Sequence, residues 1–412
     1  MLPDAAPDYR RLYRLPWTAA DNAMVWLEPT RMCNLTCDAC FVENIPESHK
    51  SLEEIGEDID TIQRLCRCDS ILIAGGEPLL HPEIMEIIRL VKAAGAKPIL
   101  FTNGVDMDRP MLRELRSAGI YGINVHVDSH QARPGWTGCS EKELNELRLQ
   151  YAEMIYEEGR TCCAFNTTIF PDAVHEIPDI VEWVVSHPDK VHILSLICVR
   201  MAHPDDPWDT YAGDRRVDFP RTSMVSDQDY KHLTTPDIYQ QIKKTLPDFE
   251  FCSYLGGTVR SNSLKWASGC RIGSMRHSYG NMGPLSMELM QSASHVFRRR
   301  YLSYVKARTS RMGRSTLLLG IVDPELRRTA RKYLAAVLRN PLELFRRLHI
   351  QSINVVQPSD VLPTGEVDMC DGCPNKTPWE GRLVRACQIE EYRGFGAPVR
   401  LVPRTQPGLE YA

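Results

Sequence analysis

Between Ala23 and Met201, apolar strand-like runs alternate with helix-like stretches, and this alternation narrows the fold more than any other feature. The first run, Ala23-Met-Val-Trp-Leu27, reads as a short buried strand. The expected strands end at Cys33, Gly75, Thr102, Asp128, Asn166–Thr168 and Arg200, with helical spacing between them, as from Pro82 to Lys92. Such alternation argues for an α/β fold with parallel strands and right-handed crossovers. Its chemistry is expected at the carboxyl ends of the strands. A chain of 412 residues, 43% hydrophobic and 25% charged, has the composition of a soluble globular protein with room for two or three packed units. No apolar run is long enough to span a membrane, and the first residues lack the pattern of a secretory signal, so a cytoplasmic location is expected.

The first strand leads into Cys33-Asn-Leu-Thr-Cys37-Asp-Ala-Cys40. Cysteine thiolates are the usual ligands of iron–sulfur clusters, and a run this tight lets one loop wrap one cluster. Three ligands for a four-iron cluster leave one iron open to a small molecule. Zinc is the plainer alternative, but structural zinc sites usually bring four ligands in paired short spacings. Of the other cysteines among the fourteen, Cys66, Cys68, Cys162, Cys163 and Cys198 fall in apolar stretches and are expected to pack in the core.

The Cys-x3-Cys-x2-Cys spacing followed by Phe41 resembles the signature of the radical S-adenosylmethionine (radical SAM) enzymes. Gly75-Gly76-Glu77-Pro78, directly after the apolar strand Ser70–Ala74, resembles the second mark of that family. The resemblance implies a partial (β/α)6 TIM-type barrel and a [4Fe-4S] cluster whose open iron is chelated by SAM. It also implies that Gly75, Gly76 and Glu77 hold the methionine amine. A carboxylate is a natural partner for an ammonium group, and glycines permit close approach. Further candidates for cofactor binding follow by the same resemblance. Asn103 lies in Thr102-Asn103-Gly104, His126 and Asp128 close the fourth strand, and Asn166 and Thr168 close the fifth. Many members have Ser where His126 stands, and His126 also reads as a core histidine. His81 and Trp136 are candidates for lining the cavity. The implied chemistry is one-electron reduction by a flavodoxin- or ferredoxin-type partner, then cleavage of SAM to a 5′-deoxyadenosyl radical. That radical takes hydrogen from an unactivated C–H bond.

A second cysteine set, Cys370-Asp-Gly-Cys373 and Cys387, flanks a turn at Glu380–Gly381 that is followed by a strand. Three thiolates on a hairpin-like unit suit a second [4Fe-4S] cluster, with zinc as the alternative. The spacing is similar to that of GTP 3′,8-cyclases and resembles the auxiliary-cluster (SPASM or twitch) extensions of the radical SAM family. Three local ligands are preferred, with Cys270 ahead of Cys252 as a fourth. Four segments are expected: an N-terminal extension at 1–22, the radical SAM core at 23–205, a linker and helical basic region at 206–350, and a C-terminal cluster extension at 351–412.

The basic region carries fourteen Lys and Arg between Arg298 and Arg347, against Asp323, Glu325 and Glu343. Leu326, Ala330, Tyr333, Leu334, Val337, Leu338, Leu342, Phe345 and Leu348 fall at helical spacing, and Pro341 should bend or split the helix. Docking on the domain and lying on an anionic membrane surface are both open readings. A peripheral contact through 298–349, on the inner membrane surface, is the expectation carried forward. No RNA-binding motif accompanies the block, and nucleic acid is not an expected partner. The substrate is therefore expected to be a lipid or apolar metabolite at the membrane surface, with modification of a peptide or protein side chain as the alternative.

Overall fold

The computed structural model describes residues 6–159, 161–203, 206–218 and 232–404. Six parallel strands and their crossover helices alternate as anticipated. They are β1 (Met24–Thr30), α1 (Leu52–Leu65), β2 (Ser70–Gly75), α2 (Ile84–Ala93), β3 (Lys97–Thr102), α3 (Arg109–Ala118), β4 (Gly122–His126), α4 (Leu144–Glu157), β5 (Cys162–Ile169), α5 (Ile177–Ser186) and β6 (Ile193–Cys198). Local signals start and stop the helices. Ser51 and Glu54 form a reciprocal capping box on α1, and α3 runs from the Asp108 cap to Gly119 in the left-handed region. One face of the strands is sealed under these helices, with Leu27, Ile73, Leu100, Ile123, Phe165 and Leu196 fully buried.

The sheet does not stop at six strands. After α6 (Thr235–Thr245), the chain adds β7 (Ser253–Leu255), β8 (Trp266–Gly273) and β9 (Ser278–Asn281), and after α7 (Pro284–Arg298) and α8 (Pro324–Arg339) it adds β10 (His349–Val356). β10 pairs parallel to β6, β8 pairs antiparallel to β10, and β7 and Tyr13–Arg14 complete that edge of an eleven-stranded sheet. The expected boundary at 350/351 thus falls inside a strand. The stretch from Phe249 to Gly283, whose sequence has no clear periodicity, supplies three strands because its partners are distant in sequence. Trp208–Ala212, within a stretch rich in Asp, Pro and Arg, pairs with Arg215–Arg216 and with Arg400–Pro403. The sequence from Asp227 to Leu246 has helical character; the helix begins at Thr235, and residues 219–231 lie outside the described residues.

The sheet stays open, and the C-terminal segment bridges its edges. Cys370 pairs with Gly257 just beyond β7, while buried Asn22, just before β1, donates to the carbonyls of Gly372 and Cys373 at 3.0 and 3.3 Å. β11 (Lys376–Trp379) and β12 (Arg382–Arg385) form the expected hairpin, turning at Glu380 and Gly381, both with positive φ. A short helix, α9 (Ile389–Phe395), follows.

The basic region lies beneath the amino-terminal ends of the strands. His295 on α7 meets Asp21 at 2.8 Å and Arg298 meets Asp69 at 2.8 Å. Lys97, the first residue of β3, reaches the Tyr304 carbonyl at 2.6 Å, and Gly313 donates to the Leu348 carbonyl just before β10. Residues 284–348 therefore form a floor at the end of the sheet opposite the cysteine loop.

Candidate active site

The cysteine loop leaves β1 at Thr30 and is held on three sides. Asn44 clamps Cys33, accepting its N–H at 2.9 Å and donating to its carbonyl at 3.0 Å. The turn after β4 supplies backbone bonds: Ala132 N–H to Thr36 O at 2.9 Å and Asp38 N–H to His130 O at 3.0 Å. Phe41 sets its ring 6.2 Å from Trp26. Sequence reasoning missed Asn44, whose role depends on how the loop folds back.

Gly75 and Gly76 serve this loop directly. A Cβ on Gly76 would lie 2.2 Å from the Met32 carbonyl oxygen, and one on Gly75 would lie 2.5 Å from that of Thr30. Glu77 is wholly buried, and its carboxylate accepts from Thr102 Oγ1 at 2.7 Å, Asn103 N–H at 2.6 Å and Leu79 N–H at 3.0 Å. Burial raises its carboxyl to about 7 despite those donors. The side chain braces two turns against each other, and backbone carbonyls near Gly75 and Gly76 are left as the groups suited to an ammonium. Asn103 donates to Asn34 Oδ1 at 2.7 Å and points its amide toward Cys33 Sγ at 3.8 Å.

His126 is no core histidine. It is partly exposed on the inner face, with Nε2 2.8 Å from Asp128 and 3.2 Å from Thr168 Oγ1. Burial alone would raise the Asp128 carboxyl, but His126 and the His130 N–H hold it below its ordinary range. Asn166 accepts from Asn124 at 3.0 Å. Arg133, unmarked by any motif, is buried and donates to the carbonyls of Asn103 and His126 at 2.8 and 3.0 Å, joining two strand ends under the loop. His81 is buried against the Lys50 carbonyl and Trp136 packs on the helix side of the core, so neither lines the inner face.

Cys33, Cys37 and Cys40 are partly buried and within electrostatic reach of one another. Burial pushes all three thiols up. Buried thiols ionise readily only when a cation compensates them, and that suits ligands of a metal group. Among the described residues no three His, Cys, Asp or Glu side chains converge on a point as a single ion requires. A four-iron cluster takes each thiolate on a separate iron, so its ligands surround a volume instead. The loop fits that group.

The second set is also brought together. Cys370 and Cys373 lie just before the hairpin and Cys387 just after it, and the three interact electrostatically. A hydrogen bond from Cys370 holds the Cys373 thiol low, with Arg385 and Lys376 nearby. Cys252 and Cys270 are hydrogen-bonded to each other among Met282 and Met287. Gly257, the neighbour of Cys370, is five residues beyond Cys252, on the order of 15 Å at strand rise. The trio and the pair are thus not gathered in one place. Cys66, Cys68, Cys162, Cys163 and Cys198 are buried as expected.

A three-thiol loop stands at the carboxyl end of the first parallel strand, ringed by polar residues from neighbouring strand ends, in an α/β fold of the partial-barrel class. Residues 27–184 match the Radical SAM superfamily. That stretch is similar to the superfamily, a likeness that implies a [4Fe-4S] cluster and SAM as cofactors. The AdoMet-dependent heme synthase of Methanosarcina barkeri is 28% identical over 169 residues, covering 39% of this chain and 46% of that protein. A GTP 3′,8-cyclase of Chlorobaculum tepidum is 31% identical over 172 residues, covering 40% and 51%. The chain spans about half the length of the curated relatives it matches. Among solved structures, SuiB of Streptococcus suis is 13% identical with a TM-score of 0.38, covering 56% of this chain and 47% of that one. AdoMet-bound anSMEcpe is 16% identical with a TM-score of 0.37, covering 55% and 59%.

Proposed function

We propose that this chain is a radical SAM enzyme acting on an unactivated C–H bond of a substrate rich in hydrogen-bonding groups. The cluster and SAM, when bound and reduced by a flavodoxin- or ferredoxin-type donor, supply the 5′-deoxyadenosyl radical that removes hydrogen. The observation that carries the reading is the thiol loop held open at the barrel mouth by Asn44, Asn103 and the turn after β4. Cys33, Cys37 and Cys40 would ligate the cluster. The carbonyls beside Gly75 and Gly76, with Asn103, Asp128 and Asn166, would bind the nucleoside and its methionine end. Arg133 and Glu77 position those strand ends.

The inner wall supports the substrate class. Outward-facing Phe165, Leu194, Leu196, Ile353 and Val355 are sealed, whereas inward-facing Asn166, Thr168, Ile193, Ile197 and Ser352 stay partly exposed, so the inside is hollow. In register across it run His126, Asn166, Ser195, Asn354 and Ser268. These groups bond in part to one another and to neighbours, as Asn354 to Ser195 at 3.4 Å and Trp266 to Ser268 at 3.2 Å. A wall of this polarity suits a hydrogen-bonding substrate better than a hydrocarbon chain. A peptide side chain or polar metabolite fits better than a lipid. We propose a second [4Fe-4S] cluster on Cys370, Cys373 and Cys387.

The test is anaerobic incubation of reconstituted enzyme with SAM and a strong reductant. Formation of 5′-deoxyadenosine that is lost in Cys37→Ala is expected. Intact SAM after incubation of the parent protein overturns the enzymatic reading.

A further inference from the structure

The floor beneath the strands carries an outer surface that the catalytic reading does not use. Helix α8 packs Leu326, Thr329 and Tyr333 against β9, where Tyr333 meets Tyr279 with ring centroids 5.2 Å apart. A helix that only docked on its domain would end its apolar content there. Instead Arg327, Arg331, Leu334 and Leu338, spaced four, three and four residues apart, form a second stripe in solvent. The helix ends at Arg339, and Pro341 opens a short 3-10 turn that leaves Phe345 outside. Large apolar side chains are exposed around this stripe, Leu338 at 85%, Phe345 at 81% and Ile321 at 80%, and elsewhere on the floor Phe297 of α7 is exposed at 86%.

The charge on this surface is one-sided. Of the three acids in the segment, Asp323 is buried as the cap of α8, and Glu343 is buried against Tyr279 and Arg346. Within the segment only Glu325 is left near solvent. From outside it Asp248 pairs with Lys332 at 2.7 Å and Asp69 with Arg298 at 2.8 Å, so most of the fourteen Lys and Arg remain without an acidic partner from the segment. The same segment walls a cleft of about 530 Å³ with Arg116, Tyr121, Lys306, Arg308 and Arg311, and no acidic side chain lines it.

We infer that the floor docks on an anionic lipid bilayer, with the aliphatic and aromatic side chains entering the headgroup boundary and the Arg and Lys meeting lipid phosphates. Charge decides the occupant. A second copy meeting this face through a two-fold axis would set positive against positive. A nucleic acid would answer the charge, yet would leave exposed Leu and Ile without a partner. Of these three occupants, the bilayer surface is the one that offers both chemistries. The floor lies opposite the cysteine loop, so a docked molecule turns its catalytic mouth toward the aqueous side. The contact is an anchor, not a route for a lipid substrate.

This inference rests on the surface alone and stands or falls separately from the proposed C–H chemistry. Full-length reconstituted protein, without reductant, is floated with vesicles of phosphatidylglycerol and phosphatidylcholine, or of phosphatidylcholine alone, at low and raised salt. Binding to the anionic vesicles that weakens with salt is expected. Phe297→Glu/Leu338→Glu/Phe345→Glu should lower the bound fraction roughly tenfold or more, with an unchanged melting temperature and unchanged SAM cleavage. Failure of the parent protein to float overturns the inference, and so does equal flotation of the variant. Light scattering that shows a dimer, converted to monomer by the variant without vesicle binding, assigns the face to self-association and also overturns it. Flotation without SAM cleavage would keep the anchor and reject the enzyme.

Discussion

Asn44 shows how much one amide can organise. Both backbone groups of Cys33 are engaged by this single side chain, so the first thiol is aimed before any cluster forms. Asn44→Ala should cost about 1–2 kcal/mol of stability and, more tellingly, lower the iron and sulfide retained after anaerobic reconstitution. Chemical denaturation and metal analysis of the same sample read both effects. Unchanged iron would mean that the loop needs no such clamp. At Glu77, the same scale corrects an expectation drawn from motif alone. Its carboxylate is engaged by three donors of the protein itself, so its service to the cofactor is indirect.

Among the elements, α9 joins the two cysteine sets. Arg31, one residue past β1, meets Glu390 at 2.8 Å, and Arg393 pairs with both Glu390 and buried Glu28. Burial raises the Glu28 carboxyl even with Arg393 beside it. Arg393→Ala should therefore destabilise the protein by about 2–3 kcal/mol, below the ~3–5 of a fully buried pair because Glu28 can take up a proton. Thermal melts of Arg393→Ala, alone and with Glu28→Gln, check this, and the double variant should recover part of the loss. Where β10 enters the floor, burial lowers His192 and His349 to about 4. Their folded values lie below the unfolded ~6.5, so the unfolded chain binds more protons between the two. Stability is complete above about pH 6.5 and falls as pH drops toward 4, by up to about 3 kcal/mol for each group. His192→Gln/His349→Gln should flatten that limb in urea titrations across the same range.

For the whole molecule, an open sheet is bridged at its edges by a cysteine-bearing segment and closed below by a basic floor. That separation predicts independent metal contents. Cys370→Ala/Cys373→Ala/Cys387→Ala should lose about half of the iron while the first cluster stays spectroscopically intact, since two four-iron clusters contribute equally. Iron and sulfide analysis after anaerobic reconstitution decides it, and a variant with the parent's iron content would eliminate the second cluster. Among the described residues no helix is long and apolar enough to cross a membrane.

The sequence by itself determined the parallel strand–helix core, the three-thiol loop, the Gly75–Pro78 turn and the cysteine hairpin, because each rests on local periodicity, short spacing or turn chemistry. The split of the amphipathic helix at Pro341 was equally legible. Only the tertiary structure decided that β7 to β10 extend the sheet, that Asn44 and Arg133 secure the loop, and that Cys252 and Cys270 sit apart from the second trio. It also decided which apolar residues of α8 face the protein and which face water. Each of these depends on pairing between segments far apart in the chain, where a strand takes its identity from its partner and a side chain takes its role from what packs against it.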